Sequence, residues 1–304
     1  MVKAVIDIGS NSIKMRIARV NGGKVSVISD ETEVVRLGRG MSHTGLLSDE
    51  SMKLSCDTVA KMALKARHYG AEIFIVGTMA LRTAGNSADF VKMVRDECGL
   101  EVRVFSGEEE ARYSWCGAVD GFNLAGDVVM FDTGGGSTEF VAGSGREVRS
   151  VVSVPVGAVN LSERFFCEHY TPIKKKSCDD AVSYVSDKLL EYDIDGFKTS
   201  SFSVIAVGGG VVAMSGVKNA CENFIPSRLH STILTRKDIV RQIRLYSSLT
   251  LKERENIIGL PKSRADVILG SACIVLAALR VLNASSCIVS INGLRHGILL
   301  SDIL

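Results

Sequence analysis

Proline is scarce, four residues against twenty-nine glycines in 304, so the turns are made largely by glycine and extensive disorder is not expected. Charge of one sign is also missing. A formal net charge of +2 supplies no general field for nucleic acid or an anionic membrane, and any anion site must be local. No apolar run spans a bilayer: the longest, Val267 to Leu279, is too short and is broken by Arg280. The opening Met1-Val2-Lys3-Ala4-Val5-Ile6-Asp7 reads as a strand and lacks the architecture of a secretory signal. Eight cysteines are scattered without a Cys-x-x-Cys, which argues against zinc and dithiol chemistry and for reduced, mostly buried thiols in a cytoplasmic protein. His43, His68, His169, His230 and His296 make no metal-ligand spacing.

Two segments share one design, an apolar β-type run ending in aspartate, a glycine- and hydroxyl-rich turn, then a second β-type run. The first is Asp7-Ile8-Gly9-Ser10-Asn11-Ser12; the second is Asp132-Thr133-Gly134-Gly135-Gly136-Ser137-Thr138-Glu139. Their aspartates lie 125 positions apart, about one domain length, so a duplicated fold is expected rather than a short-period array. Apolar spacing predicts a helix over 50–69 with Met52, Val59, Met62, Ala63 and Ala66 on one face, a strand at Glu72 to Val76 and a helix from Ala88 to Cys98. In the second half it predicts helices over 160–170 and 177–192, a strand at Ser203 to Val207 ending in Gly208-Gly209-Gly210, further helices over 236–282, and a closing strand and helix. The expected division is 1–123 and 124–304, with the last helix able to pack back on the first domain. The class is α/β.

A glycine-rich turn lets several backbone N–H groups converge on an anion, and aspartate at a strand end suits Mg²⁺ or another divalent cation. One such turn is ordinary hairpin punctuation; two after matched apolar runs point to phosphate. Neither fits the P-loop pattern.

These residues, with Val35-Arg36-Leu37-Gly38, Gly77-Thr78-Met79-Ala80-Leu81-Arg82, Ser106-Gly107-Glu108-Glu109-Glu110-Ala111, Pro155-Val156-Gly157, Arg264-Ala265-Asp266 and Gly293-Leu294-Arg295, resemble the Ppx/GppA family of exopolyphosphatases and guanosine pentaphosphate phosphohydrolases, within the actin-like ATPase superfamily. The resemblance runs nearly end to end. It implies two ribonuclease H-like domains with a phosphate chain in the cleft between them. It implies Glu110 as general base and Asp132 and Glu139 as residues for Mg²⁺ and the attacking water. Asp7 either supports the metal or braces its turn. Phosphate contacts are implied for Gly9, Ser10, Asn11, Ser12, Arg82, Gly134, Gly135, Gly136, Ser137, Thr138, Gly208 and Gly209. Glu139 separates the second turn from those of kinases and chaperones.

Two positions depart from the family pattern: Gly210 where threonine is common, and His296 where glutamate is common. The expected activity is Mg²⁺-dependent release of terminal phosphate from polyphosphate, with guanosine pentaphosphate as the alternative substrate. A kinase-like ATPase and a non-catalytic phosphonucleotide sensor are the rival classes. A homodimer is a family expectation. The Lys174-Lys175-Lys176 run reads as a solvated loop or as a guide for a polyanion.

Overall fold

Apolar alternation at the N-terminus folds into a strand covered on both faces. In the computed structural model, which describes residues 1–167 and 170–301, β1 (Val2–Ile8) runs antiparallel to β2 (Ser12–Asn21), which pairs with β3 (Lys24–Val34). β4 (Glu72–Gly77) joins β1 in parallel and β5 (Val102–Val104) follows, giving the order β3-β2-β1-β4-β5. The period of two divides the β1 side chains. Ala4, Ile6 and Ile8 enter the core beneath the helix Asp49–His68, while Val5 packs with Leu294, Ile298 and Leu299 of the last helix.

The helix Asp49–His68 carries the expected buried face, with Met52, Val59, Met62, Ala63 and Ala66 inward. Its start is fixed by the Ser48 side chain accepting from the Ser51 N–H, with Asp49 and Glu50 in the first turn; Lys65, Arg67 and His68 occupy the last. Those charges complement the helix dipole at both ends.

The second sheet repeats the scheme. β6 (Asp127–Thr133) pairs antiparallel with β7 (Thr138–Ser144), which pairs with β8 (Glu147–Val154). β9 (Phe202–Val207) lies parallel to β6; β10 (Ile233–Thr235) and β11 (Ser286–Val289) complete the order β10-β11-β9-β6-β7-β8. In each sheet a three-stranded antiparallel meander is followed by strands parallel to its first, with β10 antiparallel to β11 at the edge of the second sheet, in the ribonuclease H-like order that the resemblance implies. The apolar run of 267–282 forms the helix Ile268–Val281, buried from Ile268 through Leu279, so it is core and not a free face.

The chain divides into two compact units, Met1–Gly117 with Asn292–Leu304, and Ala118–Ile291. The first division falls in the last turn of the helix Gly107–Val119, a few residues before the polar stretch that the sequence offers as a boundary. The helix expected over 160–170 is shorter, Ala158–Phe165; His169 and the rest of that expectation at 168–169 lie outside the described residues. All eight cysteines are free, five of them buried. Among the described residues no helix is long and apolar enough to cross a membrane, and no group of three or more His, Cys, Asp or Glu could hold a metal ion by itself. Lys174, Lys175 and Lys176 are exposed at the start of the helix Lys175–Glu191, where Lys176 pairs with Asp180.

Candidate functional site

The two aspartate-led turns have the same internal geometry. The Gly9 N–H donates to the Ser12 carbonyl at 3.2 Å, and the Gly134 N–H donates to the Ser137 carbonyl at 2.9 Å. Each turn is then braced from outside by the segment that follows its meander. In the first, Val35 and Arg36 N–H groups donate to the Asn11 carbonyl and Gly38 N–H to the Ser10 carbonyl. In the second, Ala158 and Val159 N–H groups donate to the Gly134 and Gly135 carbonyls, and the Asn160 amide donates to the Gly136 carbonyl at 2.8 Å. Gly157 is required by proximity, since a Cβ there would sit 2.4 Å from Gly135 C and Gly136 N.

With the carbonyls engaged, the amides are left over. The N–H groups of Ser10, Asn11, Gly135, Gly136 and Ser137 donate to no protein group among the described residues. Both polar atoms of the Asn11 side chain and the Thr133 hydroxyl are buried without a partner. Backbone donors of this kind form an anion-binding nest. Thr138 differs from its neighbours: its hydroxyl donates to the Val156 carbonyl at 2.6 Å, holding the turn's exit strand. Ser12 is buried and accepts the Gly9 bond through its carbonyl.

Strand register gives the two turns opposite chemistry. Asp7 pairs across the ladder with Lys14, whereas Asp132 pairs with Glu139. Directly opposed residues put their side chains on one face, about 5 Å apart at Cβ. The first turn is therefore flanked by an acid and a base, the second by two acids. Burial pushes the Asp7 carboxyl above its ordinary value, against the pull of Lys14 and Arg295. Glu139 is 1% exposed and accepts from the Ser153 hydroxyl at 2.8 Å. Two carboxylates side by side fit a divalent ion that takes its remaining ligands from water and phosphate, as Mg²⁺ does.

The three consecutive glutamates of the helix Gly107–Val119 have three separate duties. Glu109 and Ser106 form a reciprocal cap, with side-chain bonds of 2.9 and 3.1 Å to each other's N–H. Glu108 pairs with Arg112 one turn on. Glu110 alone turns to the helix Met79–Thr83, where its carboxylate meets Arg82 Nη1 at 3.1 Å. The same Nη1 donates to the Phe105 carbonyl at 2.9 Å. The expected base and the expected phosphate-contacting arginine are thus brought together, across 28 residues of sequence.

At the third glycine run, Gly208 has φ 122°, and a Cβ there would lie 2.5 Å from the Thr133 carbonyl, so the run packs directly on the exit of β6. Over Gly209 lies Arg264, whose guanidinium would be 2.5 Å from a Cβ at that position. This side chain makes no hydrogen bond among the described residues. Burial lowers the Arg264 pKa, opposed by Asp266. Sequence reasoning gave Arg264 no role, although its Arg-Ala-Asp motif marked it. The departure at Gly210 is matched by Ser271, whose hydroxyl would stand 2.2 Å from a Cβ at 210; a threonine there would collide with it. His296 lies in the first unit, where its Nδ1 is 3.3 Å from Arg16 Nη1. Arg16 also bonds Asp30 and Asn292, and Arg295 pairs with Asp30.

The Ppx/GppA phosphatase family model matches residues 16–304. A guanosine-5'-triphosphate,3'-diphosphate pyrophosphatase of Photobacterium profundum is 30% identical over 97% of this chain and 58% of its own length. Exopolyphosphatase 2 of Mycobacterium tuberculosis is 29% identical over 97% of this chain and 95% of its own. A solved structure of the Aquifex aeolicus PPX-GPPA enzyme superposes with a TM-score of 0.82 at 30% identity, covering 99% of both chains. The chain spans about half the length of several curated relatives that it matches. By motif, topology and a family match over residues 16–304, this chain belongs to the Ppx/GppA phosphatase family.

Proposed function

We propose that this chain is a divalent-cation-dependent hydrolase that releases the terminal phosphate of inorganic polyphosphate. The observation that carries this reading is the pair of turns with unclaimed amides, one of them beside the in-register carboxylates of Asp132 and Glu139. Phosphoryl transfer needs positioning and charge stabilisation more than covalent participation by the protein. Amides of Ser10, Asn11, Gly135, Gly136 and Ser137 take phosphate oxygens. Asp132 and Glu139 hold Mg²⁺, which when bound spreads charge on the phosphoryl oxygens. We assign Asp7 to bracing its turn, because a lysine faces it in register, and Thr138 to the same task in the other.

Glu110 accepts a proton from water as the water oxygen bonds to the terminal phosphorus. The bridging P–O bond breaks, and the bridging oxygen leaves with the shortened chain. Arg82 and Arg264 supply guanidinium donors to phosphoryl oxygens. The free, mainly buried cysteines support a reducing, cytoplasmic setting, and the near-neutral charge supports neither nucleic acid nor membrane as partner. A homodimer belongs to the same proposal on family grounds.

The name of the Photobacterium relative favours guanosine pentaphosphate as a second reading. The mycobacterial exopolyphosphatase, matched over nearly its whole length, favours polyphosphate. Phosphate release from defined short polyphosphates and from guanosine pentaphosphate, each with and without Mg²⁺, decides between them. A higher kcat/KM on polyphosphate supports the first reading, a higher value on the nucleotide replaces it with the second, and release from neither removes both.

A further inference from the structure

Acidic residues are absent from Val34 to Ser48, a stretch that holds Arg36, Arg39 and His43. In a chain of near-neutral net charge, such a segment is a local positive field. It also borders the first turn. The Val35 and Arg36 N–H groups donate to the Asn11 carbonyl, and the Gly38 N–H donates to the Ser10 carbonyl at 2.8 Å. A Cβ at Gly38 would lie 3.0 Å from the Ser10 Cβ, so segment and turn meet at close contact. Val35 and Leu37 are buried in the core, and the Ser51 hydroxyl donates to the Leu37 carbonyl at 3.4 Å. The backbone is thus anchored on both sides of Arg36. Arg36 itself has φ 52°, a left-handed conformation that a non-glycine residue adopts at a cost and keeps where its surroundings impose it. It bends the chain into a turn, closed by the Arg39 N–H donating to the Arg36 carbonyl at 3.0 Å. Arg39 then stands exposed, and its side chain makes no hydrogen bond or ion pair among the described residues.

We propose that the segment 36–43, with Arg39 as its contact residue, is a further phosphate subsite: it takes phosphoryl groups of a polyphosphate beyond the reacting end and sets a preference for longer chains. This rests on the polyphosphate reading of the turns and deepens it. A guanidinium matches phosphoryl oxygens in both charge and geometry. Tripolyphosphate offers little beyond what the turns themselves hold. A longer chain carries further negative charge past the border of the first turn, where an arginine with no acid to neutralise it is ready to take it. In guanosine pentaphosphate the 5' run of phosphates ends at the ribose, so the segment favours the inorganic polymer. The contact is exposed, and dissolved salt weakens it.

The test compares kcat/KM per chain end on tripolyphosphate and on long-chain polyphosphate, with Mg²⁺, in the wild type, Arg39→Ala, Arg39→Glu and Arg19→Ala. Arg19 is exposed on β2 and controls for the loss of one positive charge elsewhere. The wild type should prefer the long chain. In Arg39→Ala that preference falls about tenfold, the loss of one charge-assisted contact, and the change lies in KM rather than kcat. Arg39→Glu lowers it further, Arg19→Ala keeps it, and added salt erodes the wild-type preference toward that of Arg39→Ala. Thermal unfolding of each variant confirms folding. A preference in Arg39→Ala equal to that of the wild type overturns the proposal, as does an equal fall in Arg19→Ala, and either leaves the hydrolase reading intact. Release of phosphate from neither polyphosphate removes that reading instead, and calorimetric titration with the same two polyphosphates then decides the subsite. Tighter binding of the long chain that Arg39→Ala abolishes supports it; equal binding by wild type and variant overturns it.

Discussion

Replacing Gly297 with alanine should damage both stability and turnover, although the residue is far from the turns in sequence. A Cβ there would lie 1.7 Å from the Tyr113 carbonyl oxygen and 2.7 Å from its carbon, and one at Gly117 would lie 2.2 Å from the Gly293 carbonyl. The helices Gly107–Val119 and Leu294–Leu300 thus cross at backbone contact. Restoring ordinary contact means moving them apart by roughly 1.5 Å. Because the obstacle is backbone and cannot rotate away, the overpacking cost sits at the upper end, about 3 kcal/mol. Alanine recovers about 1 kcal/mol of helix propensity over glycine. The net loss of about 2 kcal/mol lowers Tm by roughly 4–8 °C.

Glu110 lies one turn before Tyr113 on the displaced helix, so an ångström of movement should cut kcat about a hundredfold. Differential scanning calorimetry and a phosphate-release assay measure the two effects. Gly196→Ala, where a Cβ meets nothing within 4 Å, is the control and should match the wild type. Wild-type melting and turnover in Gly297→Ala would refute the argument.

Two further outcomes follow from the same contacts. Burial pushes the Asp30 carboxyl up, but the charges and hydrogen bonds of Arg295 and Arg16 outweigh it and hold it below its usual value of 3.8. A carboxyl depressed by folding stabilises the folded state above its unfolded pKa and loses that contribution as pH falls through the folded one. Asp30→Asn, which leaves the buried Arg16 short of a partner, should therefore cost about 2 kcal/mol at neutral pH and progressively less below about pH 4, measured by urea unfolding. Gly157→Ala should press on the backbone of Gly135 and Gly136, raise KM about tenfold and lower Tm as well, because this obstacle cannot rotate away either; an unchanged KM contradicts its role as a brace.

The turns were legible in the sequence because their signal is local. An apolar run of period two ending in aspartate fixes which face each residue takes, and the register Asp132 with Glu139 follows from the turn length. The buried face of the helix Asp49–His68 was legible for the same reason. What the sequence did not reveal depends on contacts between distant segments. The pairing of Arg82 with Glu110 needs β4, β5 and two helices in place. The match between Gly210 and Ser271 joins the helices Gly209–Lys218 and Ile268–Val281, and no periodicity encodes it. The helix at Ala158 was misjudged in length because its apolar residues continue past Phe165, while its start is set by Asn160 reaching back to the Gly157 N–H. Thr138 reads as one more hydroxyl at a phosphate turn; only the fold brings it to the Val156 carbonyl.

The central claim is that Glu110 activates water for attack on a bound terminal phosphate. Its most direct test is Glu110→Gln with tripolyphosphate and Mg²⁺, following phosphate release and substrate binding by calorimetry in the same preparation. The account predicts that release falls at least a hundredfold while binding stays within a few-fold of the wild type. Turnover near the wild-type rate in a folded variant would contradict it.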